Sequence, residues 1–195
     1  MRALSALTST ETEQHLFHVN VLGPAALTKA LLNQGILSFD ARIVVVSSLQ
    51  GLVPLPLRAA YSASKHAAQA YFTSLRMELA LMTPQLNLKS QAVGTGSSTM
   101  SVTIASPGYV RTNLSTNALT ATGEKHNKLD ETTARGYSPE YVAHRILCAA
   151  ARREHEIWIC PPMHKLAAFL QRIFPSVVEK RLLKKAINEW LSLQE

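Results

Sequence analysis

Three side chains in the first third of the chain have the types and the spacing for acid–base chemistry, namely Ser48, Tyr61 and Lys65. Tyr61 and Lys65 stand at positions i and i+4 of a stretch with helical periodicity, so they share one face of the predicted helix. A free tyrosine titrates near pH ~10 and is a poor acid or base at neutral pH. A nearby ammonium favours the phenolate, so Lys65 is expected to lower the pKa of Tyr61. The Ser48 hydroxyl is suited to hydrogen-bond an oxygen on which charge develops.

The same three residues also have a structural interpretation, as a strand-end serine, a helix-surface tyrosine and a solvated lysine. The spacing of Tyr61 and Lys65 alone is weak evidence for a site, because such pairs usually have only a structural role. The order of a strand, Ser48, and then Tyr61 and Lys65 at the start of a small-residue helix is far more specific.

Short β-branched runs at residues 43–46, 102–105 and 157–159 predict the strands that would position this site. Residues 43–46 are an apolar run bounded by polar residues, which is typical of a strand buried on both faces. The runs alternate with helical segments of crossover length, so we expect three neighbouring parallel strands in an α/β domain. Ser48 follows the first run, and ligands in open parallel sheets bind beyond the carboxyl ends of the strands.

A helix predicted over residues 10–33 carries Asn20 and is interrupted by Gly23 and Pro24. Proline has no N–H, so the carbonyl of Asn20 loses its helical partner and the helix is expected to kink there. An incidental kink is the alternative interpretation. Residues 83–100 are polar and are predicted to form a surface loop, because their glycines lack the spacing of phosphate-binding motifs.

Three motifs together resemble the short-chain dehydrogenase/reductase family. They are Val45-Val-Ser-Ser-Leu-Gln-Gly51, Tyr61-Ser-Ala-Ser-Lys65 and Ser106-Pro-Gly-Tyr-Val-Arg-Thr112. The resemblance implies the C-terminal part of a Rossmann-like, doubly wound parallel sheet. It also implies an NAD(P)-dependent oxidoreductase that reduces carbonyls or oxidises alcohols by hydride transfer.

The resemblance assigns roles to four residues. Tyr61 would be the general acid/base, Lys65 would lower the tyrosine pKa and bind the cofactor ribose, and Ser48 would polarise the substrate carbonyl. Asn20 would help to hold a proton-relay water, since it falls at the expected place before the serine.

The family also implies a cofactor, NADP or NAD, bound by Tyr61 and Lys65 and by the segment after the second strand. Pro107, Gly108, Val110 and Thr112 are the candidate contacts in that segment. A strand-to-loop turn without a ligand is the alternative. The expected substrate is a small carbonyl or alcohol compound, with lipid-like or steroid-like molecules among the candidates.

Alanines line the predicted Tyr61 helix and allow close helix packing. Family members commonly dimerise through this helix and the preceding one, so the resemblance suggests a homodimer through the Asn20 and Tyr61 helices. Packing of the same alanines within the core is the alternative.

The family's glycine-rich TGxxxGxG turn does not occur in this sequence. That turn places the cofactor pyrophosphate at a helix N-terminus. The resemblance therefore covers the second half of the family domain, and the N-terminal cofactor-binding strands are expected to be missing. Two hypotheses follow: the chain is part of an oxidoreductase and is inactive in this truncated form, or it is a non-catalytic binding or interaction protein that keeps the motif by descent.

We expect two regions, a partial Rossmann-like domain over residues 1–160 and a basic amphipathic helical extension over residues 161–195. The extension has two helical apolar patterns separated by Pro175, with Lys and Arg residues between the apolar positions. Such helices can lie on an anionic membrane surface, so peripheral membrane contact is one interpretation. Packing against the domain or a second subunit, with a solvated basic face, is the other and is slightly favoured by the pattern. Nucleic acid is not an expected partner, because no recognition motif accompanies the charge.

Composition agrees with an ordinary α/β domain that can bury a core: 195 residues, 47% hydrophobic and a net charge of +7. Cys148 and Cys160 are too few for a disulfide framework, so a reducing, intracellular compartment is expected. No apolar run is long enough to predict a membrane span, and the resemblance adds the endoplasmic reticulum or peroxisomal membrane as candidate locations. His15 and His18 lie on one predicted helix without an evident third ligand, so no metal site is predicted.

Overall fold

The computed structural model describes residues 3–38, 40–89, 100–125, 127 and 131–191, with backbone only for residues 82–89, 131 and 189. The strands are β1 (Arg42–Val46), β2 (Ser101–Pro107) and β3 (Glu156–Ile159). The α-helices are α1 (Thr10–Phe17), α2 (Gly23–Asn33), α3 (Ala59–Lys89), α4 (Glu131–Ala134), α5 (Pro139–Ala151), α6 (Pro162–Ile173) and α7 (Pro175–Leu191).

The three strands form one parallel sheet in the order β1-β2-β3. Val44 lies opposite Thr103 in the first pair, and Ala105 lies opposite Ile157 in the second. The prediction of three neighbouring parallel strands in an α/β architecture is therefore confirmed, and the arrangement agrees with part of a Rossmann-like fold. Helices of crossover length connect the strands, as parallel pairing requires.

Successive residues of β2 face two different helical layers. Val102 and Ile104 pack against Phe72, Leu75 and Leu79 of α3. The next residue, Ala105, packs on the other face with Val142 and Ala149 of α5. Because strand side chains alternate between faces, β2 is buried on both sides and forms the centre of the molecule.

The first strand is less buried than its sequence predicts. The residues from Ile43 to Val45 are only partly buried, and Val46 is 58% exposed. The expectation that residues 43–46 are buried on both faces is wrong for this chain, because β1 forms an edge of the sheet that the structure describes. A run of β-branched residues favours a strand inside a sheet, but the strand is buried only if other elements pack on each side of it.

The helix that carries Asn20 is interrupted at the predicted place. A π-type turn over His18–Leu22 separates α1 from α2, and the N–H of Gly23 bonds to the carbonyl of His18 five residues back. Pro24 follows at the start of α2. Wide turns of this kind accommodate a residue that cannot donate its own hydrogen bond, and they are frequent at functional sites.

The loop predicted over residues 83–100 is wrong at its beginning, because α3 continues to Lys89. Polar residues occur both in loops and in solvent-exposed stretches of helix, so polar composition alone does not distinguish the two. The glycine-rich residues 94–99 lie outside the described part of the chain. The two helices predicted in the tail are present as α6 and α7, and Pro175 begins the second one.

Candidate active site

Ser47 and Ser48 occupy the carboxyl end of β1, where the chain leaves the sheet. Ser48 begins a 3₁₀ turn, and its hydroxyl accepts a hydrogen bond from the N–H of Gln50 at 3.1 Å. This is ordinary side-chain capping, which satisfies an exposed backbone donor and fixes the serine rotamer. The Ser48 oxygen is thereby held at the edge of the sheet where parallel folds bind ligands.

Tyr61 lies in the first turn of α3 and faces Ser48. Burial raises the pKa of Tyr61 above its ordinary value, because a desolvated phenolate is costly. A hydrogen bond with the Ser48 side chain and the positive charge of Arg58 lower the same pKa to a smaller extent. The net result is a phenol that keeps its proton at neutral pH and has a hydroxyl partner in place.

Lys65 lies one helical turn after Tyr61, with its ammonium nitrogen 5.8 Å from the centre of the tyrosine ring. The ammonium donates a hydrogen bond of 3.4 Å to the carbonyl oxygen of Val46. Burial lowers the pKa of Lys65, since a desolvated ammonium is disfavoured. Tyr61, Lys65 and Ser48 are thus brought together at one end of β1.

The predicted effect of Lys65 on Tyr61 is not seen in this structure. The pKa of Tyr61 is raised, not lowered, and Ser48 and Arg58 are the groups that oppose the rise. The physical reason is geometric: the ammonium bonds to the Val46 carbonyl and lies beside the ring. Burial of the phenol therefore outweighs the favourable charges around it.

Asn20 reaches the same region from the π-type turn. Its side-chain N–H donates to the hydroxyl of Ser64 at 3.0 Å, and Ser64 donates to the backbone carbonyl of Tyr61 at 2.8 Å. Ser64 is completely buried. Asn20 is therefore connected to the backbone of Tyr61, and its expected role in holding a relay water stays a prediction.

Gln69 joins the ends of both neighbouring strands to α3. Its amide nitrogen lies 3.0 Å from the Ser47 hydroxyl, 3.2 Å from the Ser48 carbonyl oxygen and 3.1 Å from the Ser106 hydroxyl. Two N–H groups serve three acceptors, so the bonds are shared. These residues, the Gln69 network, hold the carboxyl ends of β1 and β2 against the helix that carries Tyr61.

Gly51 makes room for this network. A Cβ atom at residue 51 would lie 2.3 Å from the Gln69 amide nitrogen and 3.0 Å from the Lys65 carbonyl oxygen. Sequence reasoning missed Gln69, although it continues the helix face of Tyr61 and Lys65 at another interval of four residues. That repeated spacing is the clue that could have identified it.

The predicted cofactor segment follows β2 at the same edge of the sheet. Pro107 ends β2, and the N–H of Gly108 donates to the Ile159 carbonyl at 3.0 Å. Val110 pairs with Tyr137 in an isolated parallel bridge. Thr112 is exposed, and its hydroxyl accepts a hydrogen bond from the N–H of Leu114 at 3.3 Å. The contacts of these four residues with a cofactor stay predictions.

The apolar cluster beside Tyr61 includes a residue from a distant part of the chain. Leu119 and Leu16 pack with Ala60 and Tyr61 in a small apolar cluster. The Leu119 segment is held against α1 by the N–H of Ser9, which donates to the Ala121 carbonyl at 3.1 Å. Leu119 was not identified from the sequence, because no periodic pattern connects it with α3.

A family model described as short chain dehydrogenase matches residues 1–122. This match covers the strand-end serines, Tyr61, Lys65 and the segment after β2 whose geometry is described above. The chain belongs to the short chain dehydrogenase family.

Two curated relatives match most of this chain. The bovine (Bos taurus) dehydrogenase/reductase SDR family member 7B is 40% identical over 182 residues, which are 93% of this chain and 51% of that protein. The Drosophila melanogaster dehydrogenase/reductase SDR family protein 7-like is also 40% identical, over 96% of this chain and 53% of that protein. The chain thus spans about half the length of these relatives.

Solved structures of the family share the fold. A short-chain dehydrogenase from Streptomyces avermitilis matches 99% of this chain and 65% of its own, with a TM-score of 0.64 and 23% identity. A Burkholderia cenocepacia short chain dehydrogenase in complex with NADP covers 93% of this chain and 65% of its own (TM-score 0.61, 20% identity). A 4-hydroxyisoleucine dehydrogenase complexed with NADH covers 82% of this chain and 63% of its own (TM-score 0.55, 22% identity).

Proposed function

We propose that a protein containing this chain is an NAD(P)-dependent oxidoreductase that interconverts a carbonyl compound and the corresponding alcohol. The observation that carries this proposal is the geometry at the end of β1, where the partly buried phenol of Tyr61 lies beside Ser48 and the Lys65 ammonium lies 5.8 Å from the centre of the tyrosine ring. A neutral phenol, a second hydroxyl and a cation at one sheet edge are the groups that a proton donor to a carbonyl oxygen needs.

The donor set at this edge fits the ribose and nicotinamide end of NAD or NADP. Lys65 and Tyr61 would bond the ribose hydroxyls, and the segment from Pro107 to Thr112 would lie along the nicotinamide. When bound, the cofactor supplies or accepts the hydride. The structural neighbours crystallised with NADP and with NADH support a nicotinamide cofactor in general.

In the direction of carbonyl reduction, Tyr61 would donate its proton to the substrate oxygen as negative charge develops there. Its raised pKa keeps the phenol protonated at neutral pH, so the acid is present in the required form. Ser48 would hold the same oxygen by a second hydrogen bond, and the positive charge of Arg58 would favour the phenolate that remains. Asn20 and Ser64 would keep the Tyr61 backbone in place.

The test is substitution of Tyr61 by Phe in the longest product translated from the transcript that encodes this chain. Tyr61→Phe removes the proton donor but keeps the ring, so turnover with NADPH or NADH should fall by at least about a hundredfold. Cofactor binding, measured by fluorescence or calorimetry, should remain. Lys65→Ala should impair both binding and turnover, because the ammonium serves both.

Tyr71→Phe is the matched control, since Tyr71 lies on the same helix in the apolar core beside Phe72. It should leave turnover unchanged. Turnover retained in Tyr61→Phe would reject the assignment of the acid. A wild-type product that binds neither cofactor and turns over no carbonyl compound would favour the non-catalytic interaction protein instead.

We also propose that α2 and α3 form a homodimer contact, as the family resemblance suggests. Leu22, just before α2, and Leu27 within it are exposed, and α3 exposes the small side chains of Ala63 and Ala70. Small residues allow two helices to approach closely. Light scattering on size-exclusion fractions should give twice the chain mass, and Ala63→Glu should reduce it to the single-chain value.

Location at the endoplasmic reticulum or a peroxisome stays a prediction that imaging of the tagged protein can test.

A further inference from the structure

Helix α6 presents its large apolar side chains to solvent. Met163, Leu166, Phe169 and Ile173 recur at intervals of three or four residues, so they form one stripe along the helix. Each of them is at least half exposed, from 51% for Leu166 to 67% for Met163. A helix of a soluble domain normally turns such a stripe toward the core.

The side of α6 that packs against the protein has the opposite character. Its buried residue is Ala168, which is 3% exposed. The side-chain oxygen of Gln171 is also buried, and it has no hydrogen-bond partner among the described residues. Apart from the partly buried Leu170, α6 thus turns small and polar groups toward the protein and large apolar groups toward solvent, an arrangement that is unfavourable in water.

Helix α7 also exposes large apolar side chains. Val178 and Ala186 are buried, whereas Leu183, Ile187 and Leu191 are more than half exposed. Residues 162–191 contain two glutamates and six exposed basic residues, which are Lys165, Arg172, Lys180, Arg181, Lys184 and Lys185. Lys165 and Arg172 lie two helical turns apart and flank the apolar stripe of α6.

We propose that α6 and α7 bind the surface of a membrane that contains anionic phospholipids. The exposed stripe would enter the interface between headgroups and acyl chains, and the flanking basic residues would lie among the phosphates. With 12 residues, α6 is about 18 Å long. No helix in the described part of the chain is long and apolar enough to cross a membrane. The proposal is independent of the enzymatic function.

The test is flotation of the full chain with lipid vesicles in a density gradient, after synthesis in their presence. Aggregated protein sinks in such a gradient, whereas vesicle-bound protein rises. We expect the chain to float with vesicles of phosphatidylcholine and phosphatidylserine and to float much less with phosphatidylcholine alone. Raising the salt to about 0.5 M should release it, because the charge attraction is screened.

One pair of substitutions in the apolar stripe, with a matched control pair elsewhere, tests whether the stripe itself is what binds the membrane. Met163→Gln with Leu166→Gln should lower the partition coefficient by about tenfold or more. The matched control, Met77→Gln with Leu147→Gln, alters similarly exposed residues on α3 and α5 and should leave flotation unchanged.

A third pair tests the charge. Lys165→Gln with Arg172→Gln should lower binding to the anionic vesicles by on the order of tenfold.

Three outcomes would overturn the proposal. The first is a chain that sinks with both lipid mixtures. The second is an equal loss of flotation in the stripe variant and in its control. The third is self-association in the absence of lipid that the stripe variant abolishes, because the face would then cover a second copy of the chain.

Discussion

The Tyr61 phenol is subject to two opposing influences on its pKa. Burial raises the pKa, and the hydrogen bond with Ser48 and the charge of Arg58 lower it. Spacing alone predicted that Lys65 would dominate, but spacing gives the helix face and not the degree of desolvation. The positions of Tyr61, Lys65 and Ser48 could therefore be predicted from the sequence, whereas the direction of the pKa shift could not.

At the residue scale, Ser48→Ala should raise the pKa of Tyr61 further, because it removes a bond that favours the phenolate. The difference in phenolate absorbance between each protein and its Tyr61→Phe counterpart isolates this one titration. Ser74→Ala, at an exposed position of α3, is the control. A Tyr61 titration that moves to lower pH in Ser48→Ala would contradict the assigned hydrogen bond.

The same shift predicts how stability depends on pH. The folded state holds the Tyr61 proton more tightly than the unfolded chain does, so this contribution is fully present below pH ~10. It is lost as the pH rises through the higher folded-state pKa. Urea unfolding at a series of alkaline pH values should show a smaller loss of stability in Tyr61→Phe than in the wild type.

At the scale of elements, parallel pairing of the strands followed from their β-branched runs and the crossover helices between them. The Gln69 network did not follow, because its bonds join residues 21, 22 and 37 positions apart in the chain. A periodic pattern within one helix or strand cannot predict hydrogen bonds to residues of other elements. The interruption at Gly23 and Pro24 was predictable from proline chemistry, but its form as a π-type turn was not.

Gly51→Ala should destabilise the protein by about 1–3 kcal/mol, because the new Cβ displaces the Gln69 amide and leaves buried hydroxyls without their donor. The measurement is urea unfolding of Gly51→Ala, Gln69→Ala and the double variant. If both act through the network, the double variant costs less than the sum of the two single ones. Gln14→Ala, at an exposed position of α1, should be neutral. Additive costs would contradict the coupling.

At the scale of the whole molecule, the chain by itself should not bind NAD(P) tightly. Cofactor affinity in this fold draws on a glycine-rich turn at a helix N-terminus, and this sequence does not contain the motif. Holding nicotinamide and substrate in reactive geometry is worth roughly 7–11 kcal/mol in favourable cases. Calorimetric titration of the purified chain with NADPH and NADH should therefore show no micromolar binding. Clear micromolar binding would mean that the 195 residues suffice.

The exposed edge of the sheet gives a second prediction at this scale. Among the described residues β1 is an edge strand, and it ends in Val46, which is 58% exposed; an uncovered parallel edge invites pairing with other chains. Val46→Lys should slow aggregation of the isolated chain, as followed by light scattering, because a charge opposes edge-to-edge pairing. Leu147→Lys adds the same charge on α5 and should have a smaller effect. Equal effects would indicate that net charge alone controls solubility.

The separate attachment of Leu119 and Gln69 has a consequence for how this protein can diversify. The Gln69 network joins the helix that carries Tyr61 to the strand ends, whereas Leu119 packs on the same Leu16 and Ala60 cluster as Tyr61, from a segment bonded to Ser9 just before α1. The attachment of α3 to the strand ends and the apolar surface beside the phenol thus depend on different parts of the chain. Under the proposed function, mutations around residue 119 would change the surface beside Tyr61 without disturbing the Gln69 network, so substrate preference could change while proton transfer is kept.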